Sequence, residues 1–475
     1  MKISITEKPD AGIIAYAAFK GEKESAGPAS AALAKAVKAG VFRGSPLEAS
    51  FFNDNGQFLF IGLGKKEDFC EDDIRKAAGI AVKWAKGRKL ALVCFVPNPD
   101  AGKPERQAAL AAEGALLSDF TVNFKTDKED KDQKELSFSI VCKKSAQKPF
   151  SDAVVAAEAQ NYARKLANSP PNIATPEFMM AEARKLAKDC GFSIEVFDRN
   201  GLKKIGANGI LAVNAGSPHQ AYMIHLVYKG GKKKIALVGK GITFDAGGIN
   251  VKPSDAMLDM HMDKTGACVV LAIMKAAYTL KLPFEIHGVV AFTENMPDGA
   301  AYKTNEIISM GGKTVEVYHT DAEGRIILGD CLYYASQKAK PDYIIDYATL
   351  TGAMSVALGR QASGLFSNDD KLSDTLSKAG FETWERVWRM PMWKEYDELV
   401  KGTIADIRNV STTKGEGGSI SGAKFLEAFV GKGIRWAHLD IASMDVAKGH
   451  PYLNDFGIAP GVRLTIAALK AMKGK

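Results

Sequence analysis

The sequence predicts an α/β protein with a small N-terminal α/β domain and a larger C-terminal α/β domain built on a mostly parallel central sheet. Three observations predict this architecture. Residues 1–150 mix short apolar runs with helical patterns, and a double proline interrupts the chain at residues 170–171. Over residues 173–475, apolar strands alternate with helices, which is typical of a parallel sheet covered on both faces.

The composition favours a protein with a large buried core that is not exported. The chain has 475 residues, of which 46% are hydrophobic. Its first residues, MKISITEKPDAG, lack a signal-peptide pattern, and no apolar run has the length of a membrane span. The six cysteines are spaced singly, as expected of buried thiols in a reducing compartment. We therefore expect a cytoplasmic protein that does not associate with membranes.

Charge and motif content argue against several function classes. The net charge is +8, but lysines are mixed with acids, as in DKEDKDQKE at Asp127–Glu135, so basicity is weak evidence for a nucleic-acid partner. The seven histidines form no close pair, and the motifs HExxH and GxSxG are absent. Histidine-based zinc proteases and serine hydrolases therefore lose their main support.

Residues 1–150 are predicted to form the N-terminal domain, and residues 151–172 to connect it to the C-terminal domain. The polar stretch Thr126–Glu135 is interpreted as a solvated loop. The helix Asp152–Ala167 must end at Asn168-Ser-Pro-Pro-Asn172, because prolines lack an amide donor and clash with the preceding turn. The predicted N-terminal strands are Phe58–Leu63, Leu90–Val96 and Leu136–Val141, with helices at Asp72–Ala85 and Glu105–Leu117.

Residues 173–475 are predicted to form the second domain, in which apolar strands and helices follow one another. The predicted strands are Ser193–Phe197, Lys234–Val238, Glu285–Phe292, Thr314–His319, Asp342–Tyr347 and Trp436–Ile441. The predicted helices are Pro176–Lys188, Gly266–Leu280, Arg325–Lys338 and Ser421–Val430.

The segment His319–Leu328, HTDAEGRIIL, carries a charged residue at every second position of its centre. Asp321, Glu323 and Arg325 alternate, and in an extended backbone they would point the same way. The segment lies at a predicted strand-to-helix junction, which is where α/β proteins bind ligands. Two carboxylates this close need a cation to offset their repulsion, so we expect a metal or another cation there.

A second group of candidate residues follows the strand Lys234–Val238. The glycine-rich segment Gly239–Gly248 is predicted to be a turn carrying Lys240 and Asp245. A phosphate loop would need Ser or Thr after the lysine, but Gly241 stands there, and the dinucleotide pattern fails at its last glycine. The pattern therefore argues against nucleotide binding.

Asp263 precedes the predicted helix at Gly266, so by itself it would be interpreted as a helix N-cap. Together with Lys240, Asp245, Asp321 and Glu323, however, it completes a set that suits two divalent metals about 3.5–4 Å apart, bridged by carboxylates. A lysine can join such a shell only as the neutral amine. Lys252 and Arg325 are then free cations, whose alternative role is charge balance.

The chain closely resembles the leucyl aminopeptidase (cytosol aminopeptidase) family over roughly residues 160–470, whereas the N-terminal part matches only in length and texture. The resemblance rests on VGKGITFDAGG, the Lys252 and Asp263 that follow it, HTDAEGR, ATLTGA at Ala348–Ala353, GSIS at Gly418–Ser421 and WAHLDIA at Trp436–Ala442. It implies a homohexamer, a dimer of trimers, that cleaves peptides with a free N-terminus and carries a di-metal site in each C-terminal domain.

The resemblance also implies roles for individual residues. Lys240, Asp245, Asp263 and Glu323 would surround an exchangeable metal, and Asp245, Asp321 and Glu323 a tighter one. Lys252 would polarise the scissile carbonyl, and Arg325 would anchor a bicarbonate acting as general base. The substrate amine would approach Asp263, and the first substrate pocket would be lined by Met260, Thr349, Leu350 and Gly352, although Met260 also suits a core position.

Three residues depart from the family pattern: His319 stands where Asn is usual, Ala246 where Ser is usual, and Lys264 where Met is common. Because His319 and Lys264 could add charge near the pocket, the preferred N-terminal residue is open. An oxygen-rich shell with one nitrogen accepts Mn, Zn, Mg or Co. Two rivals to an aminopeptidase are a basic nucleic-acid binder and a sugar or phosphate metallohydrolase.

Overall fold

The protein is described by a computed structural model that covers residues 1–9, 12–22, 29–126, 135–411, 413, 415–444 and 446–473. The chain divides into two compact units. One comprises Met1–Asn161 with Ala447–Phe456, and the other comprises Tyr162–Val446 with Gly457–Lys475. Residues 127–134 of the predicted polar loop lie outside the described residues, and the predicted domain boundaries stay a prediction.

The first unit is an α/β layer structure. Its strands are β1 Lys2–Thr6, β2 Ile13–Ala18, β3 Ala49–Asn53, β4 Gln57–Gly62, β5 Leu92–Val96 and β6 Ser137–Val141. Its helices are α1 Ser30–Lys38, α2 Asp72–Lys86, α3 Pro104–Asp119 and α4 Gln147–Ala167, the last of which continues into the second unit. The sheet has the order β1-β6-β5-β2-β4-β3, and only β3 and β4 pair antiparallel.

Helices α2 and α3 pack closely because their facing residues are small. A Cβ at Gly114 would lie 2.1 Å from the backbone oxygen of Arg75, so no larger residue fits there. Buried alanines fill most of both contact faces, and helix α4 ends where the paired prolines follow, as predicted.

The second unit contains two sheets. The larger has strands β7 Ser193–Phe197, β8 Tyr222–Lys229, β9 Lys234–Asp245, β10 Glu285–Asn295, β13 Tyr343–Ala348, β14 Ser363–Ser367, β15 Val387–Arg389 and β17 Arg435–Asp440. The smaller has strands β11 Ile307–Met310, β12 Lys313–Glu316 and β16 Ile407–Arg408. The helices are α5 Pro176–Cys190, α6 Arg199–Ile205, α7 Asn208–Asn214, α8 Ser254–Met257, α9 Thr265–Thr279, α10 Glu323–Lys338, α11 Gly352–Leu358, α12 Asp370–Thr383, α13 Gly418–Glu427 and α14 Val462–Lys473.

The larger sheet has the order β15-β14-β17-β13-β9-β10-β8-β7. Its four central strands, β17, β13, β9 and β10, are mutually parallel, so their carboxyl ends lie at one edge. The pairs β14–β17, β10–β8 and β8–β7 are antiparallel, and β14–β15 is parallel. The predicted α/β class with a mostly parallel central sheet is therefore confirmed.

Two local predictions were wrong. The predicted strand Thr314–His319 is β12, Lys313–Glu316, and it belongs to the small sheet rather than to the central one. The segment Gly239–Gly248 is not a turn at its start, because β9 continues to Asp245. Its glycine at position 239 serves packing, since a Cβ there would lie 2.6 Å from the Cα of Ala267 in α9.

Two further observations concern the whole described chain. None of the helices among the described residues combines the length and hydropathy that a membrane crossing requires. All six cysteines are free thiols; five are buried and Cys70 is half-buried, close to the prediction.

Candidate metal centre and active site

Three carboxylates meet at the carboxyl edge of the central strands. Asp245 is the last residue of β9, and Glu323 is the first residue of α10, two residues after Asp321. One oxygen from each of these residues lies within 4.8 Å of the other two, and Asp245 and Glu323 are buried. Because α10 has already begun at Glu323, the predicted extended alternation with Arg325 was wrong, although the two acids do converge.

Lys240 connects a fourth carboxylate, that of Asp263, to this group. Its Nζ lies 2.7 Å from Oδ2 of Asp263 and 2.9 Å from Oε1 of Glu323. The same Nζ donates to the backbone oxygen of Thr349 at 3.0 Å, and the Oγ1 of Thr349 donates to Oδ1 of Asp263 at 2.7 Å. Asp263 is thus held from both sides by groups of other elements.

Asp263 is not a helix N-cap. Helix α9 begins at Thr265, its N-cap residue is Lys264, and no side chain caps it. The interpretation of Asp263 as a helix N-cap was therefore wrong, because its carboxylate oxygens face Lys240 and Thr349 instead of the first amides of the helix.

Lys252 lies on the other side of the carboxylates. Its Nζ is 2.9 Å from Oδ2 of Asp245 and also contacts Oδ1 of Asp321. The side chain is 14% exposed, whereas that of Lys240 is 4% exposed. The two lysines therefore contact all four acids, two each.

Asn295, at the end of β10, orients the two most buried acids. Its Nδ2 donates to Oδ1 of Asp245 at 2.9 Å, to the backbone oxygen of Thr320 at 3.1 Å and, more weakly, to Oε2 of Glu323 at 3.5 Å. The backbone amide of Gly247 donates to the same Asp245 oxygen at 2.9 Å. These donors leave the remaining oxygens of the acids directed towards the lysines.

Burial strongly perturbs the acids. Desolvation, reinforced by Glu323, raises the pKa of Asp245 to about 7, and desolvation raises the pKa of Asp263 to about 8 even though Lys240 opposes it. Burial and Glu323 also raise the pKa of Asp321. For Glu323 itself, burial is outweighed by Lys240 and Lys252, which lower its pKa. Burial, with added repulsion from Glu323, thus disfavours the ionised forms of these acids.

Both lysines are held as ammonium ions in this arrangement. Burial opposes their charge, but Asp263 and Glu323 outweigh it and raise the pKa of Lys240. Asp245 and Glu323 do the same for Lys252. Four acids against two ammonium groups leave a formal deficit of positive charge in a site where water cannot screen it.

The donor set fits divalent metal ions. Carboxylate oxygens within 4.8 Å of one another suit hard cations, and Lys240 can add one nitrogen after it loses its proton. The raised pKa values of the acids show that more positive charge would be favourable here. Lys240, Asp245, Asp263, Asp321 and Glu323 are the residues that could hold the metals.

Arg325 is the third residue of α10, beside the acids but without an ion pair to them. Its side chain is buried, and its Nε and Nη1 have no hydrogen-bond partner among the described residues. Burial lowers its pKa to about 10, so it stays charged at neutral pH, with Glu323 and Asp440 opposing the shift. Unpartnered planar donors of this kind suit a small oxyanion such as carbonate.

The predicted pocket residues divide into two groups. Thr349 contacts Lys240 and Asp263 directly, and the side chain of Leu350 packs near Gly422 of α13. Met260, in the 3₁₀ turn Met260–Met262, is half-buried and is not a fully buried core residue, and Gly352 is exposed at the start of α11.

Two of the three departures from the family pattern are polar and have defined contacts. Lys264 is fully buried, and its Nζ donates to the backbone oxygens of Ala167, Ser169 and His261. Because His261 follows the predicted pocket residue Met260, the expectation that Lys264 adds charge near the pocket stays a prediction. His319 is exposed, and its Nδ1 accepts from the amide of Asp321 at 3.3 Å.

Sequence reasoning missed two residues that shape this site, Asn295 and Asp440. Asn295 lies three residues beyond the predicted strand Glu285–Phe292, where a polar residue at a strand end could have indicated it. Asp440 belongs to the quoted motif WAHLDIA, but no role was assigned to it.

The fold and the site define a two-domain α/β metallohydrolase, and comparisons with known proteins give its family. The catalytic-domain profile described as "Cytosol aminopeptidase family, catalytic domain" matches residues 161–466, and the N-terminal-domain profile of the same family matches residues 17–128. The chain belongs to the cytosol aminopeptidase family, and its activity is the metal-dependent release of N-terminal amino acids from peptides.

Individual relatives agree over most of the chain. The probable cytosol aminopeptidase of Aquifex aeolicus is 42% identical, covering 88% of this chain and 86% of the relative. That of Sinorhizobium medicae is 37% identical, covering 98% and 97%. Among solved structures, the bottromycin maturation enzyme BotP in complex with Mn has a TM-score of 0.88 at 29% identity, covering 98% of this chain and 100% of that one. A mutant of tomato leucine aminopeptidase has a TM-score of 0.87 at 28% identity, covering 99% and 96%.

Proposed function

We propose that the aminopeptidase uses two divalent metal ions held by Lys240, Asp245, Asp263, Asp321 and Glu323. In this proposal Asp245 and Glu323 would contribute to both sites, Lys240 and Asp263 would complete the more exchangeable site, and Asp321 would complete the tighter one. Such a pair of ions, when bound, activates water and stabilises a tetrahedral oxyanion. The observation that carries the proposal is that four clustered acids, three of them buried, share only two lysines.

The chain's own residues perform the remaining steps. Lys252, the more exposed of the two lysines, donates a hydrogen bond to the oxygen of the scissile carbonyl. This donor stabilises the negative charge that develops on that oxygen. Arg325 would hold a bicarbonate through its unpartnered donors, and the bound anion would supply a general base for the water that attacks the carbonyl. Asp263 accepts from the free α-amine of the substrate, which restricts cleavage to the first residue.

The first substrate side chain lies against Met260, Thr349, Leu350 and Gly352 in this proposal. Support comes from Thr349, which contacts Asp263 and therefore adjoins the point where the substrate amine is held. The pocket suits leucine-like and other N-terminal residues.

Metal identity, assembly and location are part of the same proposal. Mn²⁺ or Zn²⁺ is the expected metal, with Mg²⁺ and Co²⁺ as substitutes, and the Mn complex of BotP supports Mn²⁺. We propose a cytoplasmic homohexamer with residues 1–150 as the N-terminal domain, residues 151–172 as the connection and residues 173–475 as the catalytic domain. The family name supports the location.

One substrate panel tests the function. The protein, loaded with Mn²⁺, should hydrolyse an aminoacyl amide and a dipeptide but not the same dipeptide with an acetylated N-terminus, because the free amine is required at Asp263. A phosphate monoester and a glycoside serve as controls for the rival metallohydrolases. Hydrolysis of the blocked peptide at a similar rate would contradict the proposal.

A further inference from the structure

Asp440 is a buried acid that no step of the proposed mechanism uses. It is the last residue of β17 and has no exposed surface. Its Oδ1 accepts from the backbone amides of Leu350 at 3.2 Å and Ala442 at 3.3 Å. Its Oδ2 accepts from Oγ1 of Thr351 at 2.6 Å. Asp440 therefore binds the segment that follows β13 through both of its oxygens.

The segment that Asp440 holds is the one that reaches the candidate metal residues. Thr349, one residue before Leu350, accepts from Lys240 through its backbone oxygen and donates to Asp263 through its hydroxyl. The hydroxyl of Thr351 also lies 2.8 Å from that of Ser419 in α13, so the segment is held on a second side. Residues 349–351, which we call the pocket loop, thus connect Asp440 to the exchangeable half of the metal centre.

We propose that Asp440 is a positioning residue that holds the pocket loop so that Thr349 keeps Asp263 and Lys240 in their metal-binding and amine-binding orientation. This inference rests on the proposed roles of Asp263 and Lys240. Hydrogen bonds fix the loop, and the charge of Asp440 is not required for it. When a residue that orients a metal ligand is removed, metal affinity typically falls by about 10- to 100-fold.

Two variants separate hydrogen bonding from charge. In Asp440→Asn, Oδ1 can still accept from Leu350 and Ala442, and Nδ2 can donate to Thr351, whose hydroxyl then donates to Ser419. In Asp440→Ala, every one of these contacts is lost. Asp346→Asn is the matched control, because Asp346 is equally buried on the neighbouring strand β13 and accepts from Trp436 and His438 but not from the pocket loop.

The experiment measures Mn²⁺ affinity by equilibrium dialysis with metal analysis, together with KM, kcat and Tm. Asp440→Ala should weaken the exchangeable site about tenfold and raise KM for an aminoacyl amide to a similar extent, while the tighter metal stays bound. At saturating metal and substrate, kcat should stay within a few-fold. Asp440→Asn should restore both constants to near the wild-type values, and Asp346→Asn should change only Tm.

Other outcomes decide against the inference. If Asp440→Asn weakens Mn²⁺ affinity and raises KM as much as Asp440→Ala does, the charge of Asp440 is required and the positioning role is wrong. Unchanged affinity and KM in Asp440→Ala would overturn the inference as well. If Asp440→Ala does not fold, Thr351→Val breaks the loop side of the same hydrogen bond and should shift affinity and KM in the same direction, and no shift would refute it. A wild-type protein that binds no metal would instead defeat the proposed function.

Discussion

Replacing Lys252 by alanine tests whether this lysine acts on the transition state or only balances charge. Its Nζ contacts Asp245 and Asp321, and these contacts are compatible with both roles. Loss of one donor aimed at a developing oxyanion typically costs about 10²–10³ in kcat, or about 2.7–4 kcal/mol. We expect Lys252→Ala to lower kcat by that factor and to change KM much less.

The geometry also predicts what happens to the metals in this variant. At about 3 Å and an effective dielectric constant of about 20, each contact of Lys252 with an acid represents roughly 5 kcal/mol of gross attraction. A metal that binds Asp245 and Asp321 must displace that attraction, so removing Lys252 removes a competitor. Lys252→Ala should therefore keep its metals, and its kcat can be compared with wild type at full occupancy.

The assay determines metal stoichiometry and kcat on the same preparation. Lys424→Met is the matched control, because Lys424 is a buried lysine that also contacts two acids, Asp397 at 2.9 Å and Glu427 at 3.0 Å. It should lose some stability but keep its kcat. A fully loaded Lys252→Ala enzyme that turns over within a few-fold of wild type would refute the catalytic role and leave charge balance as the explanation.

Four further predictions concern the metals, the anion and the assembly. Asp245→Ala and Glu323→Ala should each lose metal outright, measured by metal analysis after dialysis, because each removes a bridge. Mn²⁺ affinity should rise between about pH 6 and pH 9, since acids with pKa values of about 7 and 8 must ionise and Lys240 must release a proton before they bind; equal affinities at both ends would contradict this. Arg325→Ala should lower kcat and abolish any stimulation by added bicarbonate, whereas stimulation that persists would exclude the proposed anion site. Light scattering at micromolar concentration should give the mass of a hexamer, and a monomer mass would exclude one.

Strand and helix assignments from the sequence were most reliable where the hydrophobic period was long. The helix predicted at Gly266–Leu280 is α9, Thr265–Thr279, and the strand predicted at Trp436–Ile441 is β17. The strands β14 and β15 were missed, and the three residues of β15 carry too little periodicity to be recognised. The strand β12 was found but placed in the wrong sheet, since pairing partners depend on tertiary contacts.

The acids of the candidate site could be predicted from the sequence, but the contacts between its residues could not. Carboxylates at strand and helix ends identified Asp245, Asp263, Asp321 and Glu323, because the carboxyl ends of parallel strands gather at one edge. The sequence could not show that Lys264 donates to three backbone oxygens, because the direction of a lysine side chain depends on where buried acceptors lie. The bond between Thr349 and Asp263 joins residues 86 apart, and no local pattern reports it.

Lys240 and Lys252 are both lysines of one site, but we propose that the first is a metal ligand and the second a donor to the substrate. Each contacts two acids, and neighbouring acids raise the pKa of both. Lys240 is also held by the backbone oxygen of Thr349 and is 4% exposed, so its nitrogen cannot turn away when a metal arrives and must give up its proton to remain. Lys252 is 14% exposed, and among the described contacts it meets only Asp245 and Asp321, so it can leave them as a cation and turn to the substrate. We therefore attribute the difference between the proposed ligand and the proposed catalyst to a third contact, which Thr349 supplies to Lys240 and which Lys252 lacks among the described contacts.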